Sequence, residues 1–232
     1  MGYSNTTNFS GFAFANGGGG VIGANTITRL AADNIFFDPT INPGNSIVGF
    51  TFSVANLNTA AVSARARVRF YNNNAGVPGT VIAGFSFAPI SFTASQVSLF
   101  SATIAAGTVF VPPAGTPLWV GITFDNNNGG TGATLAQLNN LGQGIYNPPT
   151  IGSSTDNFFL TTTFGDFLSS NPAGALTNFG GTPVASFGWA FTVSVPEPTT
   201  WALIGVSVLG AGYGMRRFHL RRAAQLDCKL KR

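Results

Sequence analysis

Cysteine is almost absent from this chain. Its one copy, Cys228, lies near the C-terminus, so residues 1–194 can form no disulfide and no thiolate metal site. The only histidine is His219, the only glutamate is Glu197, and the only lysines are Lys229 and Lys231. The first 194 residues therefore lack Cys, His, Glu and Lys altogether, which excludes Ser-His-Asp triads, zinc centres and cysteine nucleophiles from that stretch. Five aspartates remain there, Asp33, Asp38, Asp125, Asp156 and Asp166. Two of them could form a glycosidase-type carboxylate pair, but each is more simply a turn or capping residue. The expectation is a protein that is not an enzyme.

Charge is scarce as well, at 8% of residues where about 25% is usual for a soluble domain. Solvation falls to Ser, Thr, 21 asparagines and the backbone of 30 glycines. The formal charge of +4 is unevenly placed. Arg216, Arg217, Arg221, Arg222, Lys229, Lys231 and Arg232 oppose only Asp227 at the end of the chain, whereas four arginines and five aspartates leave residues 1–194 at −1. No basic nucleic-acid surface follows. The 232 residues suffice for one sizeable domain with appendages.

What is present is strand periodicity. In "SIVGFTFSV" Val48, Phe50, Phe52 and Val54 alternate with small or polar residues. In "ARARVRFY" Ala64, Ala66, Val68 and Phe70 oppose Arg65, Arg67 and Arg69; in "LWVGITFD" Leu118, Val120, Ile122 and Phe124 point inward; in "FGWAFTV" Phe187, Trp189, Phe191 and Val193 do so. Turn-forming runs such as "NNNAGVPG" and "NNNGGTG" separate these segments, and only "ATLAQLNNLG", 133–142, suits a helical turn or two. The pattern predicts an all-β, antiparallel, jelly-roll-like sandwich over residues 25–194, its interior filled by 22 phenylalanines. Residues 1–24 form an N-terminal segment with room for a first strand.

Three surface features are candidate sites. Trp119, outward if its neighbours point inward, would offer an indole on which a pyranose stacks. Arg65, Arg67 and Arg69 would form a basic ridge suited to an acidic polysaccharide; the alternative is a charged strand face that discourages edge aggregation. Asp125 and Asn127, in "DNNNGG", are candidate Ca²⁺ ligands, as are Asp33 with Asp38, although an EF-hand would need a carboxylate where Ala136 stands. No other cofactor is expected.

The C-terminus is of a different kind. Residues 199–215 are 17 residues without charge, and a helix of that length spans about 25 Å, near the lower limit for a bilayer. Trp201 and Tyr213 stand near its edges and Arg216 with Arg217 follows as a stop, which places the C-terminus in the cytoplasm and residues 1–194 outside. A buried core helix is the alternative; Gly205, Gly210, Gly212 and Gly214 weaken it, since glycine is commoner in membrane helices.

Val195-Pro196-Glu197-Pro198, the Trp-containing apolar span and the arginine pair together resemble the PEP-CTERM sorting signal of exopolysaccharide-producing Gram-negative bacteria. The resemblance implies a sorting motif at Pro196, Glu197 and Pro198, read by an exosortase in the membrane, and an expected path from the inner membrane to the cell surface or extracellular matrix. The organisation is then 195–217 as the signal, with a transmembrane helix at 199–215, and 218–232 as a basic cytoplasmic tail longer than is usual for the family. The body also resembles the extracellular sandwich domains found upstream of such signals, whose functions are largely unknown. Its expected role is that of a non-enzymatic surface or matrix protein; the alternative is a carbohydrate-binding module for exopolysaccharide. The opening "MGYSNTTNFSGFAFANGGGG" has neither a basic nor an apolar region suited to export. The reading accordingly expects the true start upstream of Met1; the alternative is a chain that stays in the cytoplasm.

Overall fold

The computed structural model describes residues 1–165, 168–181 and 186–194. The expected transmembrane helix at 199–215 and the basic tail lie outside the described residues. Among the described residues no helix is long and apolar enough to cross a membrane.

Sixteen strands and one short helix occur among them: β1 (Tyr3–Ser4), β2 (Phe9–Ala15), β3 (Gly20–Ile22), β4 (Asn25–Ile27), β5 (Arg29–Ile35), β6 (Ile47–Asn56), β7 (Val62–Asn74), β8 (Val77–Ser86), β9 (Ile90–Phe92), β10 (Gln96–Thr103), β11 (Leu118–Asp125), α1 (Leu135–Asn139), β12 (Leu141–Tyr146), β13 (Asn157–Phe164), β14 (Gly174–Asn178), β15 (Ser186–Phe187) and β16 (Trp189–Val193). One sheet runs β1-β16-β6-β12-β15, with β10 on β6 and β2 on β12; the other runs β14-β13-β5-β11-β4-β3, with β7 joining β11 to β8 and β9. Every strand pairing among the described residues is antiparallel. Residues 1–24 contribute β1 and β2 to the first sheet and β3 to the second.

The expected inward residues build the core. Phe50 and Phe52 of β6 and Trp189 and Phe191 of β16 meet Val68 and Phe70 of β7 and Val120, Ile122 and Phe124 of β11 in one buried cluster. Ring contacts cross between the sheets, with the Phe50 and Phe70 centroids 5.4 Å apart near a right angle. Each such buried ring contributes about 1.5–3 kcal/mol relative to exposure. One inward assignment is corrected: Ile47, not Val48, is buried, because a bulge between Thr192 and Val193 shifts the register so that Val193 faces Ile47.

The second sheet is also covered on its outer face. Leu30, Ala32, Tyr71, Trp119 and Phe159 form a separate small core there, with Val77 and Val81 packed against it. The predicted helical turn is α1. Thr134 accepts a hydrogen bond from the Gln137 N–H while the Gln137 side chain accepts one from the Thr134 N–H, a reciprocal cap that holds five residues helical above buried Leu138. Thr134→Ala is expected to cost ~1 kcal/mol, read as a shift in urea midpoint at unchanged slope.

Candidate functional site

The strand register carries the arginine face and the indole together. On β7, Arg65, Arg67, Arg69 and Tyr71 stand opposite Asp125, Thr123, Gly121 and Trp119 of β11, so all eight lie on the outer face of one sheet. The alternation predicts the shared face correctly. It does not predict what covers it.

Trp119 is fully buried, with its ring edge-on to Phe159 at 6.4 Å and its Nε1–H donating to Asn73 Oδ1 at 3.1 Å. The expectation of an exposed stacking platform is corrected. β13 supplies Phe159 and the β7–β8 tip supplies Asn73, and together with Tyr71 they close over the indole.

The basic ridge is corrected on similar grounds. Arg65 Nε donates to Asp125 Oδ1 at 2.9 Å and Nη2 donates to Oδ2 at 3.2 Å, a two-pronged pairing. Arg67 forms an ion pair with the same carboxylate. Arg69 is 2% exposed, and its Nη1 donates to the carbonyls of Val68 and Phe85 at 2.9 and 3.1 Å. A polymer approaching this face meets arginines already committed to protein acceptors.

At Asp125 and Asn127, the candidate calcium ligands, the same pairing commits the carboxylate to two guanidinium groups. Asp125 is fully buried, and its Oδ1 also accepts the Asn127 N–H at 2.8 Å. Two guanidinium groups at one carboxylate oppose a divalent cation electrostatically. The neighbouring loop is closed by its own amides: Asn126 Oδ1 accepts from Thr26 N and Gly129 N, and Asn127 and Asn128 take left-handed backbone angles. Asp33 and Asp38 do not share partners either. Asp38 is at the surface and accepts from the Thr40 N–H and hydroxyl, which hold its carboxyl below the usual range. Among the described residues no group of three or more His, Cys, Asp or Glu is placed to hold a metal.

Asp33 shows what the sequence reading missed. Ala31, Asp33 and Ile35 share the inward face of β5, so a carboxyl stands inside the sandwich. Its Oδ1 accepts from Ser154 Oγ at 3.0 Å and Asn34 N at 2.9 Å; its Oδ2 accepts from Phe187 N of the opposite sheet at 2.8 Å. Burial pushes its pKa up to about 7 despite those donors. Tyr3, buried beside Ser186, is raised by its own burial and next by the Asp33 charge. The signal was available: a lone Asp at an inward position between Ala31 and Ile35. Sealed in the interior, this cluster binds the two sheets together and offers no open surface.

Beyond β16 the sorting segment begins. The PEP-CTERM protein-sorting motif matches residues 194–217. The chain carries a PEP-CTERM sorting signal. The match contains Pro196, Glu197, Pro198, Arg216 and Arg217, all of which lie outside the described residues. A PEP-CTERM signal implies processing by exosortase, a membrane enzyme, and a protein anchored in the membrane and then exported to the surface. No curated protein and no solved structure matches the chain.

Proposed function

We propose that the protein is a non-enzymatic surface or matrix protein whose β-sandwich is the cargo and whose PEP-CTERM segment is the address. The observation that carries this reading is the position of the motif: it starts at residue 194, immediately after β16 ends at Val193. In this reading 199–215 spans the inner membrane, Arg216 and Arg217 stop transfer, 218–232 stays in the cytoplasm, and exosortase cuts near Pro196-Glu197-Pro198 to release the body. The state of the four carboxylates among the described residues of 1–194 supports a non-catalytic role. Asp33 and Asp125 are buried and hydrogen-bonded, Asp38 caps Thr40, and Asp156 Oδ2 accepts the Gly181 N–H at 3.0 Å.

The test uses the chain behind a working signal peptide in hosts with and without exosortase. With the enzyme, the mature protein is expected to lose its C-terminal segment by intact mass, and Glu197→Ala to remain at full length. Equal masses in the two hosts would overturn the reading. A carbohydrate-binding module on the same body is the second reading, and the observation that favours it is the exposure of Phe9 and Phe12 on β2.

A further inference from the structure

A strand with a single neighbour leaves one side of its backbone open, and folded proteins keep such strands short, bulged or broken by proline. Most of those here follow that rule. β1 and β15 are two residues long, β3 and β9 three, and β14 five. β2 is bulged where Ser10, Gly11 and Phe12 pass the single residue Ile145. β8 contains Pro78 and shifts register twice against β7. β10 has none of these devices. Its eight residues, Gln96–Thr103, pair with β6 without a register shift, have no second strand among the described residues, and include neither proline nor a charged side chain. No charged residue occurs anywhere between Arg69 and Asp125.

The register shows which backbone groups face outward. Just past the strand, Ile104 N donates to the Val48 carbonyl, and every pair from Gln96–Asn56 to Thr103–Gly49 keeps the same offset. Residues that bond the partner alternate along an antiparallel ladder. The even-numbered residues of β10 therefore turn their N–H and C=O groups to β6, and Val97, Leu99, Ser101 and Thr103 turn theirs to the open side. The inner face adds an apolar component. Phe100, opposite Phe52, is only partly buried, with ring centroids 5.8 Å from Phe52 and 5.5 Å from Phe92. Ala102 beside it is partly buried too, as are Phe85 and Phe87, whose rings meet Phe50 and Phe52 from the other sheet. The core is incompletely covered where the edge is open.

We propose that β10 is a self-association strand: two copies of the chain pair β10 with β10, antiparallel, and join their first sheets into one. Open N–H and C=O groups in alternation are matched by another strand, and an antiparallel pair of identical strands is itself two-fold symmetric. With the axis beside Phe100, Val97 faces Thr103 of the second copy and Leu99 faces its Ser101. All four open residues then bond, with about eight hydrogen bonds in all. Moving the axis to Leu99 or Ser101 leaves Thr103 or Val97 beyond the end of the partner strand. In the central register Phe100 stands opposite Phe100 of the second copy in the closer, non-hydrogen-bonded kind of pair, so each ring covers the side that the other's own domain leaves open. The absence of charge from Phe70 to Phe124 removes like-charge repulsion between identical edges. The pairing concerns the first sheet alone; Trp119 and the arginines belong to the other.

The full-length chain in detergent is followed by sedimentation velocity from micromolar concentration upward, with amide exchange read by mass spectrometry on the peptide covering 96–103. A monomer–dimer equilibrium is expected, and exchange in that peptide should slow as the dimer forms. Ser101→Pro deletes an N–H on the open side and leaves the bonds to β6 in place, since an edge strand accepts proline where its N–H faces away from the sheet. It is expected to raise the dissociation constant at least about tenfold, through the loss of two central hydrogen bonds per dimer. Thr103→Pro tests the same side nearer the strand end, and exchange in the unsubstituted chain tests it without any change that could unfold the domain. A monomer at every concentration would overturn the proposal. So would a dimer whose formation leaves exchange at 96–103 unchanged or which survives both proline variants, since its contact would then lie elsewhere, the C-terminal apolar segment included. Open-ended oligomers in place of a dimer would overturn the two-fold pairing.

Discussion

Unfolding free energy is expected to fall as pH rises from about 4 to about 7, by as much as ~4 kcal/mol, and then to level off. The cause is Asp33. Its carboxyl has an ordinary value of 3.8 and is pushed to about 7 in the folded protein. Between those values the native state holds a proton that the unfolded chain has released, so stability declines with pH by up to about 1.4 kcal/mol per unit. Below about 4 both states are protonated and the full contribution is present; above about 7 both are ionised and it is gone. Asp38, held below its ordinary value by Thr40, has the opposite sign and acts only in more acid solution, outside this window. Among the described residues no cation pairs with Asp33; its donors are a hydroxyl and two backbone N–H groups. Urea unfolding at pH 4.5, 5.5, 6.5 and 7.5 measures the slope directly. Asp33→Asn should flatten it, and a flat wild-type profile, or an equal slope in the variant, would show that the carboxyl ionises freely inside the sandwich.

The second large effect is expected at Asp125. Removing this carboxylate leaves Arg65 and Arg67 without their shared counter-ion on a covered sheet face and frees the Asn127 N–H that starts the following turn. Breaking a buried pair from one side costs about 3–5 kcal/mol. The Arg65 and Arg67 side chains retain 18% and 11% exposure, which allows some rehydration, so Asp125→Ala should fall at about 3 kcal/mol. Arg65→Met should cost much less, because Arg67 keeps the carboxylate paired and the methionine chain refills the apolar path of the stem. Urea unfolding at constant pH reads both. A loss below about 1 kcal/mol for Asp125→Ala would mean that the arginines find other acceptors readily.

These two carboxylates also mark where sequence reading reaches its limit. Alternation identified the inward rows at 64–70, 118–124 and 187–193 because each is a local pattern with period two. It could not place Asp125 against Arg65 and Arg67, since that contact depends on the register between strands sixty residues apart. Trp119 shows the same limit from the other side. Its outward direction was readable, but its cover comes from Phe159 and Asn73, remote in sequence. Ile47 replaced Val48 in the core because Val48 is an extra residue where adjacent Thr192 and Val193 pair with Gly49 and Ile47, and that appears only in the pairing with β16. The bulge in β2 escaped notice for a related reason: only the pairing with β12 reveals that Ser10, Gly11 and Phe12 arch past the single residue Ile145. The sorting signal, by contrast, is a contiguous string that needs no partner to be recognised.

The seating of β16 bears on how the body withstands pulling. It lies between β1 and β6, bonded to the first through Phe191 and Trp189, whose carbonyls accept from Gly2 N and Asn5 N, and anchored at its end by Ser194 N to the Ser46 carbonyl. The tail that carries the sorting signal leaves directly from this strand. Tension transmitted along that tail therefore enters the body through a strand hydrogen-bonded on both edges, so the load is shared between its ladders to β1 and β6. While the chain is held by its C-terminal end, drag on the domain is borne by a strand clamped between two neighbours and not by a free edge.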